Sequence, residues 1–207
     1  MKLQISFDLT DLDKALELAK KIEPYADIFE IGTLLLYKYG IVAVEKFTDM
    51  FPAKDILIDT KIVDRAKESI AIFEQYKIYA LTIMAEANKQ TLQAACTHSQ
   101  NAKIKPILDL LDSHAPGQAA MEAKTIGFYG LIIHNTEEDK EPMALIEKWE
   151  MTRGNTTLPI FIDGKINREL IPTIHMLKPE GIIVGSAILK AHDPAEEAAY
   201  FYEECQK

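Results

Sequence analysis

The chain has 207 residues, 48% of them hydrophobic and 27% charged, which suits a globular fold with a full core. Its formal net charge of −9, with no Lys/Arg cluster, argues against a nucleic-acid partner and against an anionic membrane surface. No apolar run approaches the roughly 20 residues that cross a bilayer, and Met1 to Asp8 lack the apolar core of a signal peptide, so a cytoplasmic protein is expected.

Short apolar runs alternate with longer amphipathic stretches along the whole chain, the rhythm of βα units around a parallel sheet. A strand is predicted over 3–7, then a helix over 12–22 in which Leu12, Leu16 and Ala19 share one face. The second strand spans 25–31 and its helix 33–50; the third spans 55–59 and its helix 63–75. The fourth strand is 79–84 with a helix over 89–98, and the fifth is 103–108 with a helix over 116–126. The sixth, seventh and eighth strands fall at 129–133, 158–162 and 181–184, with helices over 143–151, 168–177 and 194–204. Eight such units over 1–207 predict an α/β fold, a single-domain (β/α)8 TIM barrel, short beside the usual length of about 250 residues. A doubly wound open sheet is the alternative. No Pro/Gly/Ser-rich linker divides the chain. Cys96 and Cys205 are far apart and form no CxxC or Cys/His cluster, which predicts free thiols and no zinc site.

In such a barrel the chemistry sits at the C-terminal ends of the strands. The predicted ends carry Asp8, Glu30, Asp59-Thr60-Lys61, Asp109, His134, Asp163-Gly164-Lys165 and Gly185-Ser186. Side chains alternate along a strand, so Asp59 and Lys61 should share a face and hold each other charged. Asp8 and Glu30 on the two preceding strands would add surplus negative charge, which a divalent cation with hard oxygen ligands, Mg2+, would relieve. Gly164 and Gly185 allow close backbone approach ahead of helices, the arrangement of a phosphate site, and backbone N–H groups can bind an anion whatever the net charge. Each residue alone has a plainer reading. Asp8 could cap the first helix and Asp64 the third, His134 could be a hydrogen-bonded structural histidine, and the glycines could be ordinary turn residues. Their joint placement at successive strand ends favours a site. His98, His114, His175 and His192 fall in helices or connections and read as surface residues.

The run Asp59-Thr60-Lys61-Ile62-Val63-Asp64 resembles the Asp-x-Lys-x-x-Asp motif of the orotidine monophosphate decarboxylase suprafamily. The opening Leu3 to Leu9, the segment Asp27 to Thr33 with its Glu-x-Gly-Thr, and His134 are similar to the branch holding 3-hexulose-6-phosphate synthase and 3-keto-L-gulonate-6-phosphate decarboxylase. The resemblance covers essentially the whole chain. It implies a homodimer with active sites at the interface, into which Asp64 reaches from the neighbouring subunit. It further implies Mg2+ held by Glu30 and Asp59, Asp8 and Lys61 as catalytic residues, and His134 as the proton-transfer histidine. The phosphate is expected between Gly164-Lys165 and Gly185-Ser186, with Asp109 also contacting substrate.

Two departures bear on substrate. Gly164-Lys165 stands where the family usually has Gly-Gly, and Gly185-Ser186 where many members have Gly-Arg. The usual phosphate arginine is missing, and Lys165 could restore charge without the bidentate fork. Both branch activities pass through a Mg2+-stabilised enediolate. The decarboxylases carry an arginine three residues after the histidine, where this chain has Glu137, so the expectation is the synthase, which joins formaldehyde to ribulose 5-phosphate. The decarboxylase is the alternative. A catalytically reduced paralogue that only binds a sugar phosphate is the alternative of another class. A ribulose-phosphate epimerase is disfavoured, because that family's paired metal-binding histidines are not evident.

Overall fold

In a computed structural model of the chain, which describes residues 1–136 and 142–207, eight parallel strands close into a barrel in strictly sequential order. They are β1 (Lys2–Phe7), β2 (Ile28–Ile31), β3 (Asp55–Ile62), β4 (Ala80–Met84), β5 (Lys105–Asp109), β6 (Gly130–His134), β7 (Ile160–Asp163) and β8 (Gly181–Val184). β8 pairs back onto β1, with Leu3 opposite Ile182, and so no edge is left open. The connecting helices are α1 (Leu12–Ile22), α2 (Thr33–Tyr39), α3 (Ile41–Met50), α4 (Ala66–Ala71) and α5 (Lys89–Asn101) in the first half. The second half has α6 (Pro116–Ile126), α7 (Pro142–Arg153), α8 (Ile171–Leu177), α9 (Ser186–Leu189) and α10 (Pro194–Gln206). The expected barrel is therefore the fold, and the open sheet is not.

Period-two alternation divides the strands from β2 to β8 between two cores. Leu3, Ile5 and Phe7 of β1, Phe29 and Ile31 of β2, and Ile56 and Ile58 of β3 face outward into the main layer beneath the helices. The inward positions Ile28, Leu57, Ala80, Ile107, Ile132 and Phe161 form a separate apolar plug inside the barrel. Below it, the Lys105 ammonium lies 4.1 Å from the ring centres of both Tyr79 and Tyr129, which shields a charge at the barrel floor.

Several boundaries differ from expectation for local reasons. The helix expected over 33–50 is two helices, because the chain breaks at Gly40 (φ 53°, ψ −132°). The second strand begins only at Ile28, since Glu23–Tyr25, with Pro24, form a 3-10 turn. β3 continues to Ile62, which delays the fourth helix to Ala66. Residues 186–189, between the last strand and the last helix, form a short helix that patterning did not reveal. Asp11, not Asp8, caps α1, accepting from the Lys14 N–H at 3.0 Å. Glu137, the position expected from the resemblance to separate the two activities, lies outside the described residues. Cys96 and Cys205 are both free and buried, and burial pushes each thiol up to about 12, as inert core sulfurs.

Under α2 and α3 the outer core is built on aromatic rings. Phe7 lies 5.2 Å from both Phe29 and Phe47, and Phe29 lies 5.1 Å from Phe51. Phe47 is fully buried and holds α3 to β1 and β2 through this cluster. Phe47→Ala should therefore cost about 3–5 kcal/mol in urea denaturation. A loss below about 1 kcal/mol would mean that the site collapses without leaving a cavity.

Candidate active site

One step of two residues above the apolar plug, the same strands carry polar side chains. Glu30 lies above Ile28, Asp59 above Leu57, Thr82 above Ala80, Asp109 above Ile107, His134 above Ile132 and Asp163 above Phe161. The strands that hold the plug thus deliver a ring of ionisable groups to the C-terminal mouth.

Asp109 is 1% exposed and bonds two of them. Lys61 Nζ donates to its Oδ2 at 2.8 Å, and His134 Nε2 meets its Oδ1 at 2.6 Å. Burial alone would push this carboxyl up. The His134 and Lys61 interactions outweigh that and hold it at about 2, so Asp109 is ionised. An ionised Asp109 requires the hydrogen at His134 Nε2, which leaves Nδ1 as the nitrogen able to take up a proton. His134 Nδ1 in turn lies 3.4 Å from Asp163 Oδ2. Burial would lower His134, but Asp109, with help from Asp163, raises it above its ordinary value. Asp163 is itself raised, first by its enclosure and then by Asp109 and Asp59, although its side chain remains 30% exposed at the cavity wall. Both groups therefore hold a proton more readily than they do in water.

Lys61 also lies 3.1 Å from Asp59, so the expected Asp59–Lys61 pair is present. Simple alternation does not produce it. Lys61 sits at φ 45°, where the pairing of β3 with β4 shifts register, and its N–H is taken by Thr82 Oγ1 at 2.9 Å. Desolvation disfavours the ammonium, but Asp109 and Asp59 more than compensate and raise it above the usual lysine range. Thr82 donates to Asp59 at 2.8 Å, and Thr33 donates to its other oxygen. Glu30 accepts from Gln4 and, at 2.6 Å, from Ser6. Its carboxyl lies well above the ordinary range, first because it is buried and then because Asp59 and Asp163 face it.

A cavity of about 500 Å³ opens over this ring. Glu30, Asp59, Lys61, His134 and Asp163 reach it from below, and Lys165 and Ser186 from the β7–β8 side. A smaller cavity of about 200 Å³, which Glu86 and Glu122 line, offers no basic group to an anion.

The geometry corrects two expectations. The carboxylates on Lys61 are Asp59 and Asp109; Asp8 and Glu30 are not its partners. Asp8 is at the exposed rim of the cavity and accepts from the Leu34 N–H at 2.8 Å, in the first turn of α2. Asp109, expected against substrate or phosphate, is instead a buried strut below the cavity, and its negative charge would repel a phosphate. Asp64 is exposed, accepts from the Arg65 N–H at 2.7 Å, and does not line the cavity. Gly164 has a structural reason to be glycine. Its φ is 89°, and a Cβ there would overlap the Asn135 carbonyl oxygen. Gly185 and Ser186 line the cavity, as expected. Asp163, Ser6, Gln4, Thr33 and Thr82 had no role assigned from sequence. Counting inward positions on β1, β4 and β7 would have found all but Thr33.

The shifts carry a definite sign. His134 is raised, so its contribution to stability is complete below its ordinary value of 6.5 and is lost as pH rises through the folded value. Asp109 is depressed, so its contribution is complete above 3.8 and is lost only as pH falls through about 2. NMR titration of the His134 ring should show a value above 6.5 that falls in Asp109→Asn. A ring titrating below 6.5 in the unsubstituted protein would contradict the Asp109 coupling.

The description "Orotidine 5'-phosphate decarboxylase / HUMPS family" matches residues 1–201. The 3-hexulose-6-phosphate synthase of Bacillus subtilis is 28% identical over 202 residues, covering 96% of each chain. That of Staphylococcus aureus strain USA300 is 27% identical over 96% of this chain and 95% of its own. Among solved structures, the synthase of Salmonella typhimurium superposes with a TM-score of 0.91 at 24% identity, covering 100% of this chain and 99% of its own. A 3-keto-L-gulonate-6-phosphate decarboxylase from Vibrio cholerae superposes at 0.86 with 22% identity, over 99% and 97%. This chain belongs to the orotidine 5'-phosphate decarboxylase / HUMPS family.

Proposed function

We propose that the protein is a 3-hexulose-6-phosphate synthase-like aldehyde-lyase, which joins formaldehyde to C1 of ribulose 5-phosphate. The observation that carries this reading is the pair Lys61 and His134, fixed by one buried carboxylate beneath a cavity rimmed with lysine. The pair can move a proton and stabilise an oxyanion, which is what enediolate chemistry requires. The choice of synthase over decarboxylase rests on the similarity to synthases over nearly the whole chain.

The residue roles follow from position. His134 Nδ1 takes the proton from C1, and Asp109 holds the ring and stabilises its charged form. The electron pair left on C1 is delocalised into the enediolate, and it then forms the new bond to the formaldehyde carbon. The former formaldehyde oxygen gains a proton, for which the His134–Asp163 pair is the nearby source. Lys61 directs its charge at the enediolate oxygens.

The cavity's acidic end fits a divalent cation. Glu30 and Asp163 are raised first by burial and then by neighbouring carboxylates, Asp59 acting on both, so that a cation there would offset both burdens. Among the described residues no three His, Cys, Asp or Glu side chains form a ready-made metal cluster. That suits Mg2+, which keeps waters and takes few protein ligands. Glu30 and Asp59 are the residues that would hold it. When bound, Mg2+ supplies Lewis-acid stabilisation of the charge developing on the substrate oxygens.

The phosphate is assigned to the wall between Gly164-Lys165 and Gly185-Ser186, on the β7–β8 side. The protein is further read as a homodimer in which Asp64 serves the neighbouring site. Asp64 has no place in its own cavity, its neighbour Val63 is 58% exposed, and Leu34 and Leu111 at the cavity wall are 48% and 46% exposed, apolar side chains that a second copy would cover. A cytoplasmic location accords with this function, and among the described residues no helix is long and apolar enough to cross a membrane.

Purified protein with Mg2+ should consume formaldehyde and ribulose 5-phosphate, release little CO2 from 3-keto-L-gulonate 6-phosphate, and lose activity with EDTA. Preference for the keto-gulonate would establish the decarboxylase, and binding of ribulose 5-phosphate without turnover would establish the reduced paralogue. Full activity in EDTA would remove the metal from the scheme. Lys165→Ala should raise KM about tenfold with a smaller change in kcat, the loss of one charge-assisted contact. An unchanged KM would show that Lys165 points away. Sedimentation at micromolar concentration should give a dimer, and a monomer would count against the shared site.

A further inference from the structure

Lys165 is not alone among the basic residues on the β7–β8 side of the cavity. Lys190, at the end of α9, also lines it. The Lys190 N–H bonds the Ser186 carbonyl at 3.1 Å, so the two residues are one helical turn apart, and both meet the same cavity. Lys190 is exposed, and its ammonium makes no hydrogen bond or ion pair with any described residue.

The charges lining the cavity sort by position. Glu30 and Asp59 stand on the β2–β3 side, 5% and 8% exposed, Asp8 stands at the rim with its carboxylate turned to the Leu34 N–H, and Asp163 ends β7 beside His134. Lys61 is occupied by Asp59 and Asp109. Lys165 and Lys190 also line the wall, and both lie at its exposed rim. A ligand with one strongly anionic end can enter only with that end toward these two lysines, because the carboxylates repel it elsewhere. A phosphate monoester carries close to two negative charges near neutral pH, and one ammonium leaves it half matched. Ser186 supplies a hydroxyl but no charge.

We propose that Lys190 is a substrate-binding residue that shares the phosphate group with Lys165, and so selects phosphorylated over unphosphorylated sugars. The assignment rests on the reading of the cavity as a sugar-phosphate site. Two ammoniums act as point charges on flexible stems, without the fixed fork of a guanidinium. Binding of this kind is tolerant in geometry and, at an exposed rim, sensitive to salt.

The test uses the full chain with Mg2+, as unsubstituted protein, Lys190→Ala and Lys190→Arg. Calorimetric titration would use ribulose 5-phosphate, ribulose and inorganic phosphate, alongside steady-state kinetics. Lys190→Ala should weaken ribulose 5-phosphate and inorganic phosphate about tenfold, leave ribulose unchanged, and raise KM with kcat within about twofold. Lys190→Arg should recover most of the loss. Unchanged binding of both phosphates in Lys190→Ala would overturn the assignment while leaving the synthase reading intact. An equal loss for ribulose would also overturn it, since Lys190 would then be shaping the site and not reading the phosphate. Lys190-dependent phosphate binding without turnover would uphold the assignment and sink the synthase reading. Failure of the unsubstituted protein to bind either phosphate would sink both.

Discussion

The site depends on one buried carboxylate that stays charged. Asp109 is almost wholly removed from water, a position that is costly for an anion unless partners replace its hydration. Lys61 and His134 do so from two sides, and the Leu111 N–H adds a third donor at 2.9 Å. The consequence runs outward. An ionised Asp109 sets the histidine tautomer, helps keep Lys61 charged, and ties β3, β5 and β6 together at the mouth of the barrel. Removing either cation would leave a buried charge partly unpaired, so the same bond that organises the chemistry also constrains the fold.

That arrangement was half legible in the sequence. Strands of a barrel alternate strictly, and each inward apolar residue of the plug on β2 to β7 has its polar counterpart two positions later. Asp59, His134 and Glu30 could be placed by that rule, and the Asp-x-Lys-x-x-Asp pattern pointed to the same mouth. Which groups touch which could not be counted off. Lys61 bonds Asp109, 48 residues away, because the ring of strands brings β3 and β5 within reach across β4. Asp8 looked equal to Glu30 from its strand end, yet one more step along β1 carries it past the barrel to the start of α2. Local patterning sees strand ends but not the height at which each strand stops.

The backbone shows a second kind of constraint. Lys61, Arg65 and Lys165 occupy left-handed conformations around the mouth, at φ 45°, 49° and 48°. Lys103 and Lys178 share that conformation, but they follow α5 and α8, where a left-handed residue ordinarily terminates a helix. The three at the mouth have no such excuse. A strained non-glycine residue of this kind costs on the order of 1–3 kcal/mol and persists where its surroundings over-determine it. For Lys61 the surroundings are visible: Thr82 takes its N–H, and two carboxylates take its ammonium. The register shift between β3 and β4 is the same event, seen from the sheet.

The electrostatics of the cavity follow from these constraints more than from net charge. A protein of formal charge −9 would repel a sugar phosphate at long range, and the carboxylates of the barrel mouth would repel it at short range. Binding then depends on separating the two signs within one cavity. The barrel does this by strand order. Glu30 and Asp59 come from adjacent strands, β2 and β3, Asp163 ends β7 beside His134, and Lys165 and Lys190 come from the connections after β7 and β8, at the exposed rim. A ligand that places an anion on one side and oxygens for a cation on the other meets both. One with anions at both ends meets repulsion whichever way it enters. On the proposed reading, that separation would orient a substrate before any hydrogen bond is made.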